Sequence, residues 1–268
     1  MFYIITTTVR ATVNAYNSYK DPRVEHLPLV GSPLPVFGIV ALYLFFSLKW
    51  GPKWMEIRKA YDLKNLIAIY NAIQVVANAG IVIFGMKYTV IHGNYSTLCQ
   101  PVDSTNVQPW MNTLVKICYC YYITKYLDLL DTVFFVLRKK NSQISFLHVY
   151  HHFGMVLAVY LYMKFLAGSH STMLGLVNGF VHTIMYGYYL VTSIKPSYGK
   201  SLWWKRYITQ LQLLQFGYLL IHFSLVIFWN TCGHPLWVGI LGGMQSLFML
   251  CMFSEFYFKA YLRKKKVN

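Results

Sequence analysis

Acidic residues are scarce in this 268-residue chain, with 8 Asp and Glu against 24 Lys and Arg, a net charge of +16. Charge of either sign is rare at 12%, whereas 56% of residues are hydrophobic and 18% aromatic. So apolar a composition excludes an ordinary soluble domain and implies a polytopic membrane protein. No G-x-G-x-x-G or P-loop motif occurs, so neither type of nucleotide site is expected. The five cysteines show no metal-type spacing. Met1 to Val30 holds no apolar run long enough for a cleavable signal peptide. The basic excess would suggest nucleic acid in a soluble protein. Here the asymmetric charging of membrane loops explains it first, and an anionic substrate second, so no nucleic-acid partner is expected.

What is present is a series of apolar runs of spanning length. Seven are expected, at about 33–49, 66–91, 112–137, 147–167, 171–194, 207–229 and 235–258. The fold class read from them is all-α, one membrane-embedded domain over 1–268. It has a short lumenal segment at 1–30 and a cytosolic tail at 259–268. Alternate interhelix segments carry the basic residues: Lys49, Lys53, Arg58, Lys59 and Lys64; Arg138, Lys139 and Lys140; Lys195, Lys200, Lys205 and Arg206; and Lys259 with Arg263 to Lys266. That side is assigned to the cytosol and the N-terminus to the lumen. Asn94-Tyr95-Ser96 is a glycosylation sequon in a loop that this topology makes lumenal. Lys265 and Lys266 stand at −4 and −3 of the tail, the spacing of a dilysine retrieval signal of endoplasmic reticulum membrane proteins. Cys99 and Cys232 both fall in lumenal loops, an oxidising compartment, and are expected to form a disulfide. Cys118, Cys120 and Cys251 lie within helices and read as small buried hydrophobes.

Polar groups within these runs concentrate in one zone. The third run carries Lys125, Asp128, Asp131 and Thr132; the fourth opens with His148-Val149-Tyr150-His151-His152, whose imidazoles share one helical face. The fifth carries Asn178, His182, Met185 and Tyr186 on one face, and the sixth Thr209, Gln212 and Gln215. Ionisable groups at membrane depth are costly and therefore functional candidates; Lys125 and the aspartates are expected to pair, and Asp131 to orient an imidazole. A rise of about 1.5 Å per residue puts Asp131, the histidine cluster and Gln212 in the cytosolic half, with Lys125 and His182 nearer the middle. This zone lies beneath the basic loops and suits an anionic head group at its mouth with an apolar tail inward.

A His-x-x-His-His box also fits a di-iron desaturase or hydroxylase, which needs roughly eight nitrogen ligands on one side. His26, His92, His170 and His234 fall on the lumenal side and His222 deep toward it, leaving only His148, His151, His152 and His182. A lipid transporter would show inverted repeats or broken helices near mid-membrane, and no clear pair stands out. Nucleophilic acyl transfer by an imidazole fits better, since a membrane-embedded cavity shields an acyl-imidazole from water.

The ordered motifs Lys125-x-x-Asp128-x-x-Asp131-Thr132, His148-x-x-His151-His152, Asn178-x-x-x-His182-x-x-Met185-Tyr186 and Thr209-x-x-Gln212-x-x-Gln215 resemble those of the very-long-chain fatty acid elongases. The resemblance runs from about residue 30 to the tail. It implies a 3-ketoacyl-CoA synthase that condenses an acyl-CoA with malonyl-CoA, with helices 2 to 7 around a narrow acyl tunnel and helix 1 outside. It implies His151 as nucleophile, with His182 assisting decarboxylation or proton handling. His148, His152, Asp131 and Asp128 would tune the pair. Lys125, Asn178, Tyr186, Gln212 and Gln215 would line the substrate site. No cofactor is implied beyond the two CoA substrates. The ketoacyl reductase, dehydratase and enoyl reductase of the cycle are implied as partners, and a homo-oligomer is compatible. The family usually has Glu where this chain has Asp128, and often a proline soon after the histidine box, where this chain has Phe153-Gly154-Met155-Val156.

Overall fold

A computed structural model describes residues 6–8, 10, 14, 16, 19–200 and 202–263. Among these no strand occurs, and seven long helices carry the architecture: α1 (Pro33–Glu56), α2 (Lys64–Ile91), α3 (Pro109–Leu137), α4 (Phe146–Phe165), α5 (Thr172–Ile194), α6 (Leu202–Phe228) and α7 (Leu236–Leu262). Local chemistry sets several starts. Ser32 Oγ accepts from the Leu34 N–H with Pro33 in the first turn, and Ser145 Oγ accepts from the His148 N–H at 3.2 Å. The Ser145 cap fixes where α4 begins, and so the height of the histidine cluster. The first helix runs past the apolar stretch at 33–49 as far as Glu56, through a wide turn at Phe46–Trp50. Pro52 supplies the reason, because its ring cannot tolerate a regular turn at the preceding carbonyls, and a π turn relieves the clash.

α1, α2, α6 and α7 are long and apolar enough to cross a membrane. α3, α4 and α5 are more polar, since they carry the charged and imidazole groups. Exposed Leu34, Phe45, Ile73, Val76, Leu214 and Ile221 give the bundle an apolar exterior, as a lipid environment requires. The chain is thus a multi-pass membrane protein. The packing runs α4–α3–α2–α5–α6–α7, with α1 against α4. Tyr150 on α4 reaches back to α7, its hydroxyl donating to Gln245 Oε1 at 2.7 Å and its ring meeting Phe248. Gly85 on α2 allows the close α2–α5 approach: a Cβ there would overlap Leu176 Cδ2.

Basic helix ends gather at one end of the bundle. The other end is closed by the segment before α1. The Asp21 N–H donates to Lys164 O at 2.8 Å, and Arg23 pairs with Asp21 at 2.6 Å while reaching Asn106 O and Ala167 O. Lys164, fully buried, donates to Gly31 O at 2.9 Å and to Glu25 at 3.2 Å. A charge so enclosed persists only with such partners. Cys99 and Cys232 are bonded, Cα to Cα 5.7 Å, tying the α2–α3 loop to the α6–α7 loop. Beside them His170 and His222 stack at 3.7 Å, each ring nitrogen hydrogen-bonded to the other's carbonyl at 3.1 Å. Asn94 is exposed in the α2–α3 loop. Lys265 and Lys266 lie outside the described residues. One expectation is corrected: Cys118 is buried, but Cys120 and Cys251 are exposed, because their faces of α3 and α7 turn outward from the bundle.

Candidate functional site

A cavity of about 860 Å³ reaches inward from the basic end. Its rim includes Lys64 at the start of α2, Arg138 just past α3 and Lys205 in the first turn of α6, all exposed. Deeper, its walls hold Asp131, His148, His151, His152, Asn178, His182, Gln212 and Gln215. Helices α2 to α6 converge here because each turns its few polar side chains away from the apolar exterior. Lys125, Asp128 and Tyr186 do not line the cavity. They stand behind its wall and hold the lining groups.

Behind that wall is a buried polar network. Lys125 Nζ lies 2.7 Å from Asp128 Oδ2 and donates to Asn178 Oδ1 at 3.1 Å. Asn178 Oδ1 also accepts from the Tyr121 hydroxyl at 2.8 Å, and Lys125 lies over the Tyr121 ring at 4.6 Å. Both oxygens of Asp128 are engaged: Oδ1 accepts from Gln74 Nε2 at 2.7 Å and from the Tyr186 hydroxyl at 3.1 Å, and Oδ2 faces His182 Nδ1 at 3.7 Å. The Tyr186 hydroxyl is also 2.7 Å from Asp131 Oδ2. The carboxylate facing an imidazole is therefore Asp128. Asp131 contacts Tyr186 instead, because three residues further along α3 put it one turn nearer the basic end.

The histidine cluster has its own support. His148 Nε2 is 2.9 Å from Thr132 Oγ1, which meets the Tyr43 hydroxyl of α1 at 2.8 Å. The rings of His148 and His152 lie 4.2 Å apart and those of His151 and His152 5.6 Å apart. All three line the cavity; His148 and His151 are partly exposed, and of these two only His148 has a hydrogen bond described above, which leaves His151 uncommitted. Among the described residues no three His, Cys, Asp or Glu side chains converge as metal ligands. The arrangement offers a free imidazole facing a pocket, a second imidazole backed by an ion-paired carboxylate, and amide groups on the opposite wall. Gln215 Oε1 and Asn71 Nδ2 are buried without a protein partner, and both residues line the cavity. Unpaired groups in such a place are positioned for a ligand.

Sequence reading missed the α2 contribution: Tyr70, Asn71, Gln74 and Asn78, all buried. Their spacing at i, i+1, i+4 and i+8 places four polar side chains on one helical face inside an apolar span, a signal of the kind that flagged α3 and α5. Tyr43 and Tyr121 were also missed, since aromatic residues at these depths read as packing.

The family model described as GNS1/SUR4 matches residues 28–268. A very long chain fatty acid elongase of Aedes aegypti is 39% identical over 254 residues, covering 93% of this chain and 69% of that protein. Very long chain fatty acid elongase 7 of Rattus norvegicus is 38% identical over 264 residues, covering 96% and 92%. Very long chain fatty acid elongase 4 of Homo sapiens is 38% identical over 269 residues, covering 98% and 83%. With nearly its whole length matched by the family model and by relatives at this identity, the chain belongs to the GNS1/SUR4 family.

Proposed function

We propose that the protein is the condensing enzyme of very-long-chain fatty acid elongation, joining an acyl-CoA to malonyl-CoA with loss of CO2. The observation that carries this reading is the cavity itself: a basic rim at Lys64, Arg138 and Lys205 above a wall of His151, His152 and His182. Phosphate-rich CoA suits the rim, and the thioester carbon then lies near the imidazoles. The names of the relatives support the same reaction.

His151 is the nucleophile in this reading. Its imidazole nitrogen attacks the thioester carbonyl, the C–S bond breaks, and the thiolate takes up the proton given up by the ring, yielding an acyl-imidazole and CoA-SH. Malonyl-CoA next loses CO2, and the electron pair of that C–C bond becomes an enolate. The enolate carbon attacks the acyl carbonyl, the C–N bond breaks, and the imidazolate takes up a proton. One proton is consumed per turnover. Lys125 and Asn178 form one positioning unit, and Gln212 and Gln215 face the cavity to hold thioester and malonyl oxygens. Enclosure by helices protects the acyl-imidazole from hydrolysis.

All seven helices cross the membrane in this reading, with α2 to α7 around an acyl tunnel and α1 outside. The basic end faces the cytosol and the disulfide end the lumen of the endoplasmic reticulum, where Asn94 accepts glycan. The reductases and dehydratase of the cycle act on the product. The test is purified protein with acyl-CoA and labelled malonyl-CoA, without NADPH. Labelled 3-ketoacyl-CoA is expected; no condensation across a range of acyl lengths would defeat the reading.

A further inference from the structure

The condensation consumes a proton deep in an enclosed site, and the structure contains a side-chain path that leads there. Asp131 lines the cavity, whose rim is open at the basic end. Its Oδ2 is 2.7 Å from the Tyr186 hydroxyl, which is 3.1 Å from Asp128 Oδ1. Asp128 Oδ2 faces His182 Nδ1 at 3.7 Å. Tyr186 has one proton and two carboxylate oxygens to give it to. That arrangement leaves the proton's position free to alternate. We propose that Asp131, Tyr186 and Asp128 form a proton wire that carries the proton consumed in condensation from the cavity mouth to His182. This proposal rests on the condensing reading given above.

The transfer balances. A proton taken up by Asp131 passes to the Tyr186 oxygen as the Tyr186 proton passes to Asp128. Asp128 then protonates His182 at Nδ1, across a gap that side-chain motion or one water bridges. His182 and His151 line the same cavity, so His182 gives its Nε2 proton to the imidazolate released in the second half-reaction, stays neutral and returns to its starting tautomer before the next turnover, without bulk water reaching the acyl-imidazole. Each carboxylate and the tyrosine end in their starting states once one proton has entered at Asp131.

The surroundings fit transfer better than simple packing. Tyr186 is fully buried, and a packing tyrosine at that depth needs one acceptor, not two carboxylates. Lys125 holds Asp128 at 2.7 Å, and Gln74 donates to the same Oδ1 that Tyr186 uses. The groups facing Tyr186 are Tyr70 of α2, whose hydroxyl is 3.3 Å away; Asp128 and Asp131 of α3; and the rings of His182 and Tyr189 of α5, at 5.6 and 6.0 Å. Tyr70 also donates to Leu127 O at 3.2 Å, which anchors it beside the wire.

The test compares wild type with Tyr186→Phe and Asp131→Asn in two separated assays. Release of CoA-SH from acyl-CoA alone reports acylation; labelled 3-ketoacyl-CoA reports the full reaction. In both variants any loss of acylation is expected to be at least about tenfold smaller than the loss of condensation. The kcat of condensation is expected to fall by about 10²-fold, the usual scale of proton-transfer catalysis, with KM for malonyl-CoA nearly unchanged. The solvent deuterium isotope effect on kcat should rise, and formate should restore rate to Tyr186→Phe in proportion to its concentration. A merely structural tyrosine predicts neither the isotope effect nor the rescue. The wire is overturned if wild type condenses while both variants keep kcat within twofold, or if the loss lies in KM alone. Should Tyr186→Phe fail to fold, Asp131→Asn carries the same readouts. Absence of condensation in wild type would instead overturn the underlying reading.

Discussion

Gln74 of α2 donates to Asp128 Oδ1 at 2.7 Å while its own nitrogen also meets the Tyr70 hydroxyl at 3.0 Å. The Asp128 carboxylate is thus held from α2, from Lys125 on its own helix and from Tyr186 on α5. Gln74→Leu removes the α2 donor and leaves a buried carboxylate oxygen with one partner fewer. The cost is about 1–3 kcal/mol of stability, the penalty for an unpaired group beside a charge. Thermal unfolding in detergent checks it, and condensation should fall with the ordering of Asp128. Gln74→Glu puts a like charge beside Asp128 and should be worse. Equal melting temperatures for all three proteins would show that the α2 contact carries no weight.

Thr132 links α1 to the histidine cluster, with Tyr43 on one side and His148 Nε2 at 2.9 Å on the other. Thr132→Val keeps the shape and removes both hydrogen bonds. His148 then loses the contact that sets its ring orientation, and its ring lies 4.2 Å from that of His152. A loss of about tenfold in kcat, or about 1.4 kcal/mol of barrier, is expected, with about 1–3 kcal/mol of stability lost because the buried Tyr43 hydroxyl is left unpaired. Tyr43→Phe leaves the His148 bond in place and should lose less. A larger loss in Tyr43→Phe than in Thr132→Val would reverse this order and reject the role given to Thr132.

His151 is distinguished from its neighbours by what it does not touch. His148, His151 and His182 all line the cavity, but His148 is tied to Thr132 and His182 faces Asp128, whereas His151 has neither kind of partner. Labelled acyl-CoA incubated alone should acylate the wild-type protein, and hydroxylamine should release the label. His151→Ala should take up no label and make no product while still binding acyl-CoA. Stoichiometric hydroxylamine-sensitive labelling of His151→Ala would move the nucleophile to another imidazole.

Helix order and the residues of the α3, α4, α5 and α6 motifs were legible because charges and imidazoles inside apolar runs have few bland explanations. The pairing of Lys125 with Asp128 followed from their spacing on one helix. The exchange of roles between Asp128 and Asp131 was not legible, because both lie within one helical turn of a histidine-bearing face and only the packing of α5 decides which carboxylate meets which. Gln74 and Asn71 escaped notice because an amide in an apolar helix is uncharged and its cost is modest. The exposure of Cys120 and Cys251 depends on helix rotation, and the small moment of a nearly uniform apolar helix leaves that angle undetermined.

The imidazoles at the disulfide end make the stability of the fold depend on pH. His234, in the loop before α7, is 1% exposed, and burial, helped by the nearby His170, pushes its pKa down to about 4. Burial also lowers His170. An unfolded histidine titrates near 6.5, so between that value and about 4 the unfolded chain binds the proton more readily. The stability that the neutral His234 provides is complete above pH 6.5 and is lost as the pH falls toward 4. At pH 5.5 the loss is on the order of 1 kcal/mol. Melting temperature in detergent should therefore drop between pH 7.5 and 5.5, and the drop should shrink in His234→Gln, which keeps a polar side chain of similar size without a titrating ring. The comparison isolates His234, because every other histidine is common to both proteins. Parallel pH profiles for the two would mean that His234 is not among the groups that set acid stability.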